Sequence, residues 1–258
     1  MLIDAFTYFD EDLICDLRFN ILNEIVDKFL IVEAGTTHQG NRKSKNFNIN
    51  NFPKFKNKID YLFVENLPNS NNPWLLESTQ RNYLRNLIDK YDDEDFVMIS
   101  DVDEIPNPKK IVQAYKNKFS VFEQDLFYYK INLKNFTEPK WLGTKICKKK
   151  FIDTPQNIRT LKYYPRWRID KKYLKKIIDG GWHFSFLKSP DDISKKIKSY
   201  AHKEFNLKKF VDTSSIKKKI QDRKDLFDRD VVFNAVNLDK KFPNYILTNL
   251  EKYKDFIV

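Results

Sequence analysis

The stretch Asp95-Phe96-Val97-Met98-Ile99-Ser100-Asp101-Val102-Asp103-Glu104-Ile105-Pro106 constrains the fold more than any other part of the chain. Its apolar half, Phe96 to Ile99, reads as a buried strand. The acids sit where that strand would leave a sheet, and in open α/β sheets ligands bind beyond the carboxyl ends of the strands. Asp101 and Asp103 are two residues apart, so on an extended backbone they share a face while Glu104 points the other way. Two carboxylates on one face repel unless something positive lies between them. Mg²⁺ or Mn²⁺ meets that need, because both prefer carboxylate oxygens and commonly hold a substrate phosphate as well. The plainer reading is an acidic loop placed at the start of the next helix.

Similar apolar runs precede it. Residues 2–9, LIDAFTYF, predict a first strand, and Asp12 is placed to cap a helix over about 13–28. Leu13, Leu17, Ile21, Ile25 and Phe29 make an i,i+4 stripe. FLIVEA at 29–34 reads as a strand buried on both faces, and IDYLFV at 59–64 as a third. Between them, residues 35–57 form a long polar connection, and long connections often carry function. A helix is expected from Trp74 to about Asp89. Four strands with helical patterns between them predict a doubly wound, mostly parallel α/β sheet flanked by helices.

Beyond it, Pro108 marks a helix over about 107–117, and 119–133 reads as one or two strands. Residues 134–182 are mixed. DGGWHFSF at 179–186 reads as a turn feeding a short strand. Helices are expected over about 190–205 and 213–221, the second capped by Thr213 or Ser214. Neither a repeat nor a linker divides the chain, so residues 1–258 read as one domain with a smaller mixed C-terminal part.

The formal net charge of +11 favours anionic partners. The excess is local: residues 140–176 hold thirteen Lys/Arg against Asp153 and Asp170. That segment could meet phosphates, nucleic acid or an anionic membrane face. No helix-turn-helix, zinc finger or RNA-binding aromatic signature accompanies it, so nucleic acid is not the expected partner. Five glycines argue against a glycine-rich phosphate loop. Two distant cysteines, Cys15 and Cys147, fit a reducing compartment. The opening lacks the basic n-region of a signal peptide, and no apolar run approaches the roughly 18 residues of a membrane span. Together these make a cytoplasmic location the expectation, and the basic segment could bring the chain to the inner face of the membrane.

Several other residues could take part in chemistry. Glu104 is a candidate general base and Glu33, at the tip of an apolar strand, could accept from a ligand hydroxyl or base edge; an ion pair would explain Glu33 as well. His183 could complete a metal shell or touch phosphate, although a packed core histidine is the plainer reading. His202 lies with Glu204 at a predicted helix end. Arg81, Arg85, Arg166, Arg168 and Lys195 are candidate phosphate partners. Trp74, Trp141, Trp167 and Trp182 could stack on a sugar or base. A two-metal phosphohydrolase or nuclease could recruit Glu33 and Asp4 as further carboxylates. A noncatalytic binding module would leave the acidic strand tip unexplained.

The combination of ISDVDEIP at 99–106 with DGGWHFSF at 179–186 closely resembles glycosyltransferase family 17, which includes β-1,4-mannosyl-glycoprotein 4-β-N-acetylglucosaminyltransferases. The FxYFxExxxxxLR-type opening at Phe6–Arg18, VDKFLIVEAGTTHQG at 26–40, the Trp74…Arg81 helix and KIKSYAHKEFN at 196–206 carry the same resemblance in the same order. It implies a GT-A-like, Rossmann-like fold, with residues 1–133 binding a nucleotide sugar and 134–258 facing the acceptor. It also implies an inverting transfer from a UDP-sugar, by default UDP-N-acetylglucosamine, to an oligosaccharide, lipopolysaccharide or other glycan. Asp101 and Asp103, with His183, would hold Mn²⁺ or Mg²⁺. Glu104 and Asp103 would serve catalysis, and Glu33, Arg81, Trp182, His183, Lys195 and His202 would contact the donor.

Overall fold

A computed structural model describes residues 1–164 and 173–258. Arg166, Trp167 and Arg168 lie outside the described residues. The strands are β1 (Leu2–Tyr8), β2 (Lys28–Ala34), β3 (Ile59–Val64), β4 (Phe96–Asp101), β5 (Glu104–Pro106), β6 (Phe119–Tyr128), β7 (Leu133–Asn135), β8 (Lys140–Lys148), β9 (Lys175–Ser185) and β10 (Phe233–Ala235). The helices are α1 (Asp12–Leu22), α2 (Pro73–Asn82), α3 (Leu84–Ile88), α4 (Pro108–Ala114), α5 (Pro155–Arg159), α6 (Pro190–Ile197), α7 (Lys208–Val211), α8 (Thr213–Gln221) and α9 (Asn244–Leu247).

The four strands expected from the first hundred residues form a parallel quartet in the order β3-β2-β1-β4. Alternate residues feed opposite faces. Leu2, Phe6, Phe29, Ile31 and Met98 pack with α1 residues Ile14, Leu17, Phe19 and Leu22. Ile3, Ala5, Leu30, Val32, Val97 and Ile99 pack against Leu76, Leu84, Leu87 and Ile88 of α2 and α3. Both faces are therefore covered, which is why these strands read as continuous apolar runs. The strand order changes direction between β1 and β4, so the crevice opens beyond Tyr8 and Asp101.

The expectation of a mostly parallel sheet needs correction. Beyond β4 the sheet is mixed: β8 runs antiparallel to β4, β6 antiparallel to β8, and β9 parallel to β6. Short connections among β6, β7 and β8 allow antiparallel return without a crossover helix. A smaller core, Tyr128, Tyr129, Leu133, Phe186, Ile193, Ile197, Ile216, Leu226 and Phe233, sits under α6 and α8.

Several boundaries also differ. The first helix stops at Leu22 because Phe29 belongs to β2. Asp12 is not its cap but its first residue, and Asp12 Oδ1 accepts from the Tyr8 hydroxyl at 2.7 Å. The helix expected over 74–89 is two, α2 and α3, divided at Tyr83; Asn72 caps α2. The helix expected to reach Phe205 stops at Ile197, and Asp212 rather than Thr213 or Ser214 caps α8.

DGGWHFSF is the end of an eleven-residue strand, not a turn feeding a short one. Its pairing with β6 shifts register between Phe122 and Gln124. At that irregularity Gly181 has φ +139°, and a Cβ there would lie 2.2 Å from the Ile105 carbonyl oxygen. β5 thus approaches β9 more closely than a side chain permits, pairing Glu104 with His183. We expect Gly181→Ala to cost more than about 1 kcal/mol from backbone strain alone, with steric overlap adding to it. Urea unfolding checks this, with Gly40→Ala as control: Gly40 also has positive φ but nothing within 4 Å of an added Cβ. Equal midpoint shifts for the two variants would contradict the close approach.

Candidate functional site

The acidic turn after β4 is built on Arg18. This arginine is fully buried on α1, and its Nε and Nη2 meet both oxygens of Asp4 at 2.7 and 2.6 Å. Its Nη1 donates to the carbonyls of Asp101, Val102 and Glu104 at 3.2, 3.1 and 2.8 Å, and Nη2 also reaches Ser100 Oγ at 2.6 Å. Carbonyls turned inward onto one guanidinium leave the Asp101 and Asp103 side chains to face the crevice. Asp4, an acid inside an apolar strand, is thereby paired as well as buried.

Asp101 receives two arginines. Arg81 Nη2 from α2 lies 2.9 Å from Oδ1, and Arg159 Nη2 from α5 lies 2.7 Å from Oδ2. Burial pushes the Asp101 carboxyl up, but Arg159 and Arg81 together outweigh it and hold it well below the ordinary carboxylate range. Asp103 has softer partners: His183 Nε2 at 3.5 Å from Oδ1 and Lys196 Nζ at 3.5 Å from Oδ2. Burial raises this carboxyl too, and Lys196 and then His183 bring it down. For His183, burial opposes the charged ring, yet the neighbouring Asp103 carboxylate leaves its pKa raised. Burial and the Arg159 charge push Lys145 down to about 8; its Nζ donates to the Arg159 carbonyl at 2.7 Å.

Depressed carboxyls fix the sign of an acid effect. Asp101 and Asp103 titrate lower folded than unfolded, so their contribution is present above the unfolded value and is lost as pH falls. Without added metal, stability should change little from them above about pH 5 and decline below about pH 4. Urea midpoints against pH check this. Asp103→Asn, already lacking one of these charges, should show a shallower decline.

The expected site residues separate into groups. Asp101, Asp103, Arg81, His183 and His202 line one cleft of about 410 Å³, with Trp74 and Trp141. Glu104 does not line it. It is fully buried, with Oε1 accepting from Trp141 Nε1 at 2.6 Å and Arg159 Nη2 at 2.8 Å, and Oε2 from the Asp101 backbone at 3.2 Å. These bonds tie Glu104 to Trp141, Arg159 and the acidic turn, and its carboxylate is not at the cleft surface where the expectation of a general base needs it. Glu33 is also fully buried and outside the cleft lining. It accepts from Lys43, from the Asn46 and Phe47 N–H groups at 2.7 and 3.0 Å, and from the Tyr61 hydroxyl at 2.8 Å. It anchors the long connection after β2 instead of meeting a ligand.

Strand alternation decides between Trp182 and His183. His183 and Ser185 face the cleft, while Trp182 and Phe184 enter the core. Trp182 Nε1 donates to the Lys241 carbonyl at 3.2 Å, so its expected donor contact is not supported. Lys195 is off by one residue: it pairs with Asp10 at 3.0 Å at the surface, and Lys196 reaches the cleft. Arg85 is spent on Asp89 at 2.6 Å.

Arg18, His38, Arg159 and Lys196 are site residues that the sequence reading missed. His38 Nε2 meets Gln80 Oε1 at 2.7 Å, while Gln80 Nε2 donates to the Tyr8 and Val32 carbonyls at 3.3 and 3.1 Å. That orientation makes His38 the donor to Gln80. The described basic segment is largely paired: Lys140 with Asp125, Lys148 and Lys150 with Glu94, Lys149 with Asp93, and Lys176 with Glu123. Those lysines are less available to a membrane face than their number suggests. No helix among the described residues is long and apolar enough to cross a membrane.

Among the described residues no three His, Cys, Asp or Glu side chains converge as a metal-holding group. Asp103 Oδ1 and His183 Nε2 do stand 3.5 Å apart. Two ligands on an octahedral ion at about 2.1 Å lie about 3 Å apart, so a small closing movement would let this pair hold one cation together.

An α/β sheet with a charged crevice at its change of strand order has the place where open α/β folds bind ligands. The chain belongs to glycosyltransferase family 17, whose family model matches residues 1–256. Its general activity is therefore the transfer of a sugar. No individually curated protein matches the chain.

Proposed function

We propose that this protein is a metal-dependent, inverting glycosyltransferase of GT-A type that moves a sugar from a UDP-sugar to a glycan hydroxyl, forming a β-linkage. N-acetylglucosamine is the default donor sugar; an oligosaccharide, lipopolysaccharide or other glycan is the acceptor. The observation that carries this reading is the Asp103–His183 pair, opened to 3.5 Å, in the crevice where β1 and β4 end. Family membership supports sugar transfer over phosphodiester cleavage or ligand binding without turnover.

Asp103 and His183 would hold Mn²⁺ or Mg²⁺, which when bound supplies positive charge to the diphosphate leaving group. The chain's own residues do the rest. Lys196 Nζ, 3.5 Å from Asp103, adds a fixed cation on the same side of the cleft. Arg81 and Arg159 hold the Asp101 carboxylate in one orientation, ready to accept from a ligand hydroxyl. Lys43 lies on the connection pinned by Glu33 and also lines the cleft.

The test is UDP release from a panel of UDP-sugars with glycan acceptors, with and without Mn²⁺. Acceptor-dependent release that needs the ion is expected. Cleavage of phosphodiesters in place of sugar transfer would overturn the reading.

A further inference from the structure

Sugar transfer needs a group to remove the acceptor's hydroxyl proton, and Glu104 is buried out of reach. The other carboxylates of the cleft are occupied. Asp101 is held by two arginines, Asp103 stands 3.5 Å from both His183 Nε2 and Lys196 Nζ, where the proposed cation would be held, Glu77 is held by Arg81 at 2.7 Å, and Glu11 Oε2 by the N–H groups of Phe9 and Asp10 at 2.8 and 3.0 Å. His38 is also unsuited, because burial lowers its pKa and disfavours the cation a base must become.

His202 is different. Its Nδ1 lies 2.6 Å from Glu204 Oε1. The hydrogen bond to His202 holds the Glu204 carboxyl below its ordinary value, so Glu204 is an acceptor at neutral pH. In the neutral ring this bond places the hydrogen on Nδ1 and the lone pair on Nε2. A carboxylate in this position both fixes the tautomer and stabilises the imidazolium that forms on proton uptake. The ring itself is boxed by aromatic neighbours: Trp74 edge-on at 4.6 Å, Tyr200 at 5.4 Å and Phe205 at 5.7 Å. Trp74 leaves 51% of its surface open, and both Trp74 and His202 line the cleft. An exposed indole suits the apolar face of a pyranose.

Resting on the transferase reading, we propose that His202 is the general base, that Glu204 positions it, and that Trp74 seats the acceptor sugar. In the step, the acceptor O–H bond breaks and its proton passes to His202 Nε2. The acceptor oxygen bonds to the anomeric carbon. The bond from that carbon to the diphosphate oxygen breaks, and its electron pair leaves with UDP.

The experiment uses the donor and glycan acceptor that support turnover by the unaltered chain. His202→Ala should lower kcat about 10²- to 10⁴-fold. Its affinity for UDP with Mn²⁺ should stay within a few fold, and added imidazole should restore part of the turnover. Glu204→Gln should lower kcat by a smaller factor, and Glu204→Asp should recover some of it. Trp74→Ala should raise the acceptor KM while leaving the donor KM unchanged. The proposal is overturned if His202→Ala keeps its turnover, if it loses UDP affinity together with turnover, or if imidazole restores nothing. A Trp74→Ala variant whose donor KM rises instead would assign that indole to the nucleotide and overturn the acceptor subsite. If the unaltered chain binds UDP with Mn²⁺ but transfers to no glycan, the transferase reading fails first and takes this inference with it.

Discussion

Arg18→Met will destabilise the protein by about 3–5 kcal/mol, the loss expected when one partner of a buried ion pair is removed and the other is stranded. The stranded group is Asp4, fully buried in β1 with both oxygens on the guanidinium. Three inward carbonyls of the acidic turn lose their donor in the same change. At about 2–4 °C per kcal/mol for a chain of this size, the thermal midpoint should fall by roughly 6–20 °C. Arg18→Lys should recover only part, because an ammonium cannot reproduce the planar, two-oxygen contact. Pairing Arg18→Met with Asp4→Leu removes the stranded charge and should return a substantial share of the stability, although the turn carbonyls remain without their donor. A thermal midpoint unchanged in Arg18→Met would refute the view that this arginine supports the turn.

The largest effect on activity is expected from Asp101→Ala combined with Asp103→Ala. On the proposed function, acceptor-dependent UDP release should fall by at least about 10³-fold, equivalent to roughly 4 kcal/mol of transition-state stabilisation. The dependence of UDP affinity on Mn²⁺ should disappear. The double change takes one carboxylate from each of Arg81, Arg159 and Lys196, while Glu77 still pairs with Arg81 and Glu104 with Arg159, so the cleft gains net positive charge. UDP affinity in the absence of metal should therefore persist or rise, which separates loss of the cation from loss of the fold. Asp103→Asn alone should give most of the activity loss with less disturbance, because Asp101 keeps its two arginines. Manganese-dependent UDP affinity that survives the double change would remove the proposed metal site.

The parallel quartet is legible because helices cover its two faces: β2 and β4 carry unbroken apolar runs, and β1 and the half-buried edge strand β3 are each interrupted by one acid, Asp4 and Asp60. The mixed half is not. β8 begins with exposed Lys140, Trp141 and Leu142 and carries a buried Lys145, so it shows no apolar alternation. The long β9 was shortened by its two glycines, which ordinarily mark a turn but here admit the β5 backbone. Missing that strand also concealed which of Trp182 and His183 faces the cleft. Lys195 and Lys196 differ by about 100° in direction around α6, and nothing in the composition tells which of the two meets the cleft.

Arg18 did leave a signal. Asp4 inside an apolar strand demands a buried cation, and α1 is the first element able to supply one. Arg159 left no comparable trace, because its approach to Asp101 and Glu104 depends on where α5 docks. The D-x-D spacing correctly brought Asp101 and Asp103 to one cleft and turned Glu104 away. Its proximity in sequence to the cleft nevertheless suggested a chemical task for Glu104 that full burial does not permit.

Glu33 fastens the middle of the 35–57 connection through Lys43 and the backbone amides of Asn46 and Phe47, and accepts also from Tyr61 on β3. Lys43 and His38, carried on that connection, consequently stand at the cleft before any donor arrives. The conformational freedom of these residues is surrendered when the chain folds, and little of it is left to surrender on association. On the proposed function, weakening that one carboxylate would move the entropic penalty from folding to the encounter with the nucleotide, so a residue away from the cleft would still set how tightly a ligand is held.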